Sequence, residues 1–204
     1  MREQPTGRIL TEKRGVNGDS RFKALGFLPL LFFLAQGVHY WRINELDHML
    51  WMCNIGNLLL ALGLFFKEPR MIRAAAIWTI PGLVVWLLYV VPTWGVVLAS
   101  VLAHVGGLVV GLMALRRVGV ERGAWLYALG WYFVVQLISR LITRVDLNVN
   151  VSQRMYSGWD HTFNAYWKFW LVLSLLVAAV LWMITFLLNK LWPRALSRQS
   201  EERT

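Results

Sequence analysis

Six runs of apolar residues, at 24–41, 49–66, 74–91, 94–115, 124–145 and 163–189, constrain this chain more than any other feature of it. Each is near the ~17 to 25 residues that a helix needs to cross a bilayer, and together they leave no stretch long enough for a soluble domain. With 57% apolar and only 16% charged residues, the chain is too apolar for a water-soluble fold of 204 residues. The expected architecture is an all-α, polytopic membrane bundle of six transmembrane helices over 24–190, between a basic tail at 1–23 and a second basic tail at 191–204. The first tail has no compact apolar region before a small-residue site, so no cleaved signal peptide is expected.

The formal net charge of +10 raises the question of a nucleic-acid partner, but its distribution points elsewhere. Sixteen of the 21 Lys and Arg residues fall in alternate connections and the two tails: Arg2, Arg8, Lys13, Arg14, Arg21 and Lys23, then Lys67, Arg70 and Arg73, then Arg116, Arg117 and Arg122, then Lys190, Arg194, Arg198 and Arg203. The other side holds Arg42, Arg140, Arg144, Arg154 and Lys168. The positive-inside rule then sets both termini in the cytoplasm. Trp41, Trp51, Trp94, Trp159 and Trp167 fall near the outer boundary, with Trp125 and Trp192 near the inner one, as aromatic belts do. Membrane lipids, including anionic head groups, are the expected partners, and no nucleic acid is expected.

Within this frame the polar residues are few. Cys53 stands six residues past Asp47, roughly 9 Å along its helix, and His104 ten residues past Trp94, roughly 15 Å along another helix that runs the same way. That puts the chain's only thiol and a mid-membrane imidazole at similar depth. An imidazole can take a thiol proton and return it to a leaving group, and the thiolate is the nucleophile, so Cys53 and His104 form a candidate catalytic pair for acyl chemistry. Asn54, Asn57 and Ser100 are candidates to orient the imidazole or to donate to an oxyanion. Asn54, Asn57, His48 and Arg140, with Asn148 and Asn150 from the long outer connection at 143–161, are the candidate substrate contacts.

Each residue also has a structural alternative: an inert small side chain for Cys53, an interhelical strut for His104, helix glue for the amides, and snorkelling for Arg140. Pro81-Gly82 predicts a kink in the third helix, and Gly106, Gly107 and Gly111 predict close helix approach in the fourth. A metal enzyme built on His39, His48, His104 and His161 with Asp47 and Asp160 is a weaker possibility, because no tight ligand spacing such as His-Glu-x-x-His occurs. No metal or cofactor is therefore expected. A non-catalytic lipid-binding, assembly or transport protein is the third reading, although only one helix carries a clear break.

Four segments carry a resemblance: "LWMCNIGNLLLALGLF" (50–65), "RAAAIWTIPGLVVWLL" (73–88), "SVLAHVGGLVVGLMAL" (100–115) and "YALGWYFVVQLISRLITRVDLNVN" (127–150). The chain resembles the bacterial YwaF-like integral membrane proteins, related in fold to a eukaryotic acyltransferase of ether phospholipids. More distantly it is similar to the androgen-induced-gene/FAR-17a membrane hydrolases of fatty-acid esters. The similarity covers roughly 46–190 and implies acyl-ester hydrolysis or acyl transfer in a bacterial plasma membrane. It matches Cys53 to a nucleophile on helix two and His104 to a histidine on helix four. The chain departs from the YwaF-like pattern before the cysteine, where "MLWM" replaces a Pro-Leu-His run.

Overall fold

A computed structural model describes residues 20–93 and 95–192; the two basic tails, apart from 20–23 and 191–192, and Trp94 lie outside them. The described residues form helices and connections without an extended sheet. Six apolar helices follow in order: α1 (Phe27–Arg42), α2 (Met52–Phe66), α3 (Pro69–Thr93), α4 (Leu98–Val118), α5 (Ala124–Ile142) and α6 (Tyr166–Leu191). Five of them are long and apolar enough to cross a membrane, α1 when counted from Ser20, and this makes a multi-pass membrane protein.

The exception is α2. Its 15 residues rise roughly 22 Å at 1.5 Å each, short of a hydrocarbon core about 30 Å thick. The apolar run that begins at residue 49 does not become one helix, because Leu46–Leu50 forms a separate 3₁₀ turn and Trp51 is extended between the two (φ −53°, ψ 135°).

Burial is inverted relative to a soluble protein. Large apolar side chains such as Leu31, Leu34, Leu88, Leu141, Leu175 and Leu176 face outward, whereas Gln36, Asn54, Asn57, His104 and Gln136 are buried. That is the arrangement a lipid solvent imposes, since polar groups must be satisfied between helices. A purely apolar core of Leu60, Leu64, Ile72, Ile77, Leu115 and Leu181 fills the half of the bundle toward the α2–α3 and α4–α5 connections.

The glycines of α4 fix its place in the bundle. A Cβ on Gly106 would lie 2.7 Å from the Phe32 ring of α1, one on Gly107 2.5 Å from Asn57 Oδ1 of α2, and one on Gly111 3.2 Å from Ala76 Cβ of α3. These three glycines therefore let three different helices approach one backbone, as the sequence predicts for this segment. The kink expected at Pro81 does not interrupt α3, which is helical from Pro69 to Thr93. Proline still has no N–H to offer Ile77, so the ladder lacks one bond there.

At the α4–α5 connection a buried arginine closes the bundle. Arg73, near the start of α3 and 3% exposed, donates from Nε to the Gly119 carbonyl (2.9 Å) and from Nη2 to that of Val118 (3.0 Å), and pairs with Glu121 at 3.2 Å. It thus satisfies the C-terminal carbonyls of α4, where the helix dipole also favours a cation. Val120 extends this closure to α6: its N–H donates to the Trp192 carbonyl and its own carbonyl accepts from Asn189.

Candidate functional site

The local fold around His104 is unusual for a membrane helix. Residues Leu102–Gly106 of α4 form a π turn, a widening by one residue that in other proteins is frequent at functional sites. His104 is buried within it, at 7% exposure. Its Nδ1 donates to the Ser100 carbonyl at 2.8 Å. Because a carbonyl can only accept, the neutral ring carries its proton on Nδ1 and its lone pair on Nε2. The indole of Trp86, from α3, stacks on the imidazole at 5.1 Å and 13° and holds the ring plane.

Cys53 is the second residue of α2, and its chain neighbours are tied down on both sides. The Met52 N–H donates to Asn150 Oδ1 at 3.0 Å, and Asn54 Nδ2 donates back to the His48 carbonyl at 2.9 Å. Asn57, one turn further, bridges the two helices by donating to the Cys53 carbonyl (3.0 Å) and to the Ala103 carbonyl of the π turn (2.9 Å).

Cys53 and His104 line one narrow cleft between α2, α3 and α4, with about 210 Å³ of space. Gly56, Trp78, Thr79, Gly82 and Ala103 complete its walls. No part of it is wide enough for a water molecule, and no hydrogen bond joins thiol to imidazole among the described residues. Gly82 sets the width, since a Cβ there would stand 3.5 Å from Cys53 Cβ.

The sequence reading missed the wall from α3. Trp78, Gly82 and Trp86 follow at intervals of four and so share one helix face, and that spacing was the available signal. Ser100 does orient the imidazole, but through its backbone carbonyl and not its hydroxyl. Of the donors expected for an oxyanion, Asn54 and Asn57 donate to backbone carbonyls, and on the cleft wall Thr79 Oγ1 donates to the Ala76 carbonyl (2.7 Å) and Trp78 Nε1 to that of Ala128 (2.9 Å).

The remaining candidates lie outside the cleft. His48 pairs with Glu45 at 3.0 Å and packs among Tyr40 and Trp51. Asn148 folds the α5–α6 connection, accepting from the Gln153 and Arg154 N–H groups on Oδ1 and donating to the Arg154 carbonyl. Asn150 donates to the Leu50 carbonyl (2.7 Å) and to Ser139 Oγ (2.9 Å), while its carbonyl accepts from Gln136 (2.7 Å). Arg140 donates to the Ser152 carbonyl (3.1 Å) and lies over the Tyr166 ring. Asn148, Asn150 and Val151 all have positive φ, which asparagine tolerates and a β-branched residue does not, so the connection is held in a strained shape by these bonds.

Outside the membrane, Arg144 grips Asp146 through two bonds (2.6 and 3.3 Å) and holds its carboxyl below the usual carboxylate range. The Arg144 N–H in turn donates to Asp47 Oδ2 at 2.7 Å, which ties the α5–α6 connection to the 3₁₀ turn before α2. No group of three or more His, Cys, Asp or Glu side chains converges as a metal site would among the described residues. The chain matches no family model, no curated protein and no solved structure.

Proposed function

We propose that the protein is a membrane acyl-ester hydrolase or acyltransferase that acts on a lipid, with Cys53 as nucleophile and His104 as general base and acid. The observation that carries this reading is the convergence of the thiol and the imidazole on one buried cleft, although 51 positions separate them in the chain. The reaction runs as follows. Nε2 takes the Sγ proton, the thiolate attacks the ester carbonyl carbon, and the tetrahedral intermediate collapses with loss of the alkoxide. The alkoxide takes the proton back from Nε2. Water or an acceptor alcohol then cleaves the thioester.

The same proposal includes six crossings, with α2 as the second. In its support, Gly26 of the α1 segment packs on Ala61 and Phe65 while Gly37 packs on Met49, so the 46–66 segment runs antiparallel along α1 for nearly its whole length. The 3₁₀ turn supplies the height that the 15-residue helix lacks. Lys67, Arg70, Arg116 and Arg117 at the opposite end from the 143–165 connection support cytoplasmic termini by the positive-inside rule, and the YwaF-like resemblance supports a bacterial plasma membrane.

The cleft must widen for a substrate, and Pro81 in α3, which lacks an N–H for the Ile77 carbonyl, stands next to Gly82 on its wall. Gly82→Ala would place its methyl in ordinary contact with Cys53 Cβ. The variant is expected to keep its melting temperature within a few degrees and to lose about tenfold or more in turnover, because the methyl takes space in the cleft beside Cys53. Equal turnover in Gly82→Ala and wild type would show that the cleft is not where the ester sits.

The test of the reading itself is intact mass after incubation with a mixed bacterial phospholipid extract, for wild type, Cys53→Ser and His104→Ala. An acyl-sized mass gain that needs Cys53, with turnover reduced roughly a thousandfold or more in Cys53→Ala and at least about a hundredfold in His104→Ala, is the expected result. One observation favours a non-catalytic bundle instead: every side-chain donor on the cleft walls besides the pair itself is committed to a backbone carbonyl, which leaves none for an oxyanion. Absence of both adduct and released fatty acid would decide for that reading.

A further inference from the structure

A second concavity, unrelated to the cleft, opens between the outer ends of α5 and α6, with a volume of about 350 Å³. That is within the range of ligand sites. Gln136, Arg140, Ser152, Tyr166, Trp167 and Trp170 line it, and no acidic side chain does. Its one charged side chain lies toward the helix ends. Arg140 and Tyr166 stand at the helix ends, at the level of the outer boundary, while Trp170 is one turn deeper on α6 and Gln136 one turn deeper on α5.

Three features at the rim favour an anion. Arg140 spends one of its five N–H groups on the Ser152 carbonyl, and the ring of Tyr166 holds its guanidinium at 5.1 Å, which leaves an oriented fork with donors over. Ser152 is 1% exposed, and its hydroxyl is buried with no hydrogen-bond partner. A buried hydroxyl without a partner carries a desolvation penalty that a ligand oxygen in the crevice would remove. The N-terminus of the 26-residue α6 also opens here, and Ala165 at its cap position provides no side-chain acceptor.

We propose that this crevice binds one glycerophospholipid of the outer leaflet, with its phosphodiester on Arg140 and the Ser152 hydroxyl and the start of an acyl chain against Trp167 and Trp170. A lipid is chosen over a soluble phosphate because the phosphate ligands sit at the membrane boundary and the rest of the lining is aromatic and open to the bilayer, with Trp167 62% exposed. The proposal does not depend on acyl transfer at Cys53, and its test reads binding and not turnover.

The experiment is native mass spectrometry of delipidated full-length protein in neutral detergent, titrated with dioleoyl phosphatidylglycerol, with dioleoylglycerol and with inorganic phosphate. One phosphatidylglycerol is expected to be retained by wild type and equally by Cys53→Ala. Arg140→Gln is expected to weaken it about tenfold or more, Ser152→Ala about threefold, and Arg140→Lys by less than Arg140→Gln, each with the melting temperature recorded. Folded Arg140→Gln that binds like wild type would overturn the proposal. So would dioleoylglycerol binding as tightly as the phospholipid, which would make the crevice an acyl-chain groove. Displacement of the lipid by inorganic phosphate at equal concentration would also overturn it, since the site would then hold a small anion.

Discussion

Arg73→Ala is expected to destabilise the protein by about 3 kcal/mol, the largest loss from any single truncation of a charged side chain in the bundle. The guanidinium is 3% exposed and serves three acceptors at once, the Val118 and Gly119 carbonyls and the Glu121 carboxylate. Its removal takes the Arg73 donor from two carbonyls at the end of α4 and the Arg73 contact from a partly buried carboxylate. Breaking a buried pair from one side costs about 3 to 5 kcal/mol, and the lower end applies because Glu121 keeps 24% of its side chain exposed. Gly119 sharpens the effect. Its φ of 63° turns the chain so that its carbonyl points at Arg73, and a change there would misdirect the same acceptor. Arg70, three residues earlier and exposed, is the control, expected to change stability by no more than about 0.5 kcal/mol on replacement by alanine. Helix content followed through a denaturing-detergent titration would measure both. A loss below about 1 kcal/mol in Arg73→Ala would mean that water replaces the guanidinium at the carbonyls.

Arg73 also marks where reading the sequence stops. Its charge was legible as one of three cations in a connection expected to face the cytoplasm, but its burial was not, because that depends on α4 ending at Val118-Gly119, within reach of the guanidinium. The helices themselves were legible to within a few residues, since hydropathy over a long window is a property of the solvent that each segment must meet. The 49–66 run was the exception. Hydropathy does not distinguish a 3₁₀ turn and an extended Trp51 from a continuing helix, and the bonds that span the break come from Asn150 to Leu50 and Met52 and from Asn54 to His48.

The depth of Cys53 and His104 could be counted along their helices, yet which way each pointed could not. Their meeting in one cleft is set by Gly107 letting Asn57 reach the Ala103 carbonyl, a contact between residues 46 positions apart. The π turn was invisible for the same reason: "LAHVG" has no composition that distinguishes it from ordinary helix, and the extra residue is accommodated by what packs against it. "NVN" at 148–150 did hold a readable signal, since asparagine takes positive φ more readily than most residues other than glycine, and it points to a shaped loop as much as to ligands.

Asn150 gives the second large effect, and it separates loop shape from support of the nucleophile. Its side chain accepts from the first N–H of α2 and donates to the Leu50 carbonyl two residues before, so it takes the place of a backbone strand beside the break at Trp51. A third bond, to Ser139 Oγ, fixes it to α5. Asn150→Ala loses all three bonds and puts an alanine at φ 54°, for an expected loss of about 3 kcal/mol. Asn150→Gly loses the same bonds but tolerates the backbone, and is expected to lose about 2 kcal/mol, the difference being the left-handed strain. The consequence for the cleft can be read separately, because Cys53 is the chain's single thiol and follows Met52 directly. With the cap gone the first turn of α2 opens more often, and an opening made easier by about 1.4 kcal/mol raises the rate of maleimide labelling at Cys53 tenfold. Labelling of Asn150→Gly at the wild-type rate, with the stability loss still present, would mean that Asn150 secures only the α5–α6 connection and that the bridge from Asn57 alone holds Cys53 against His104.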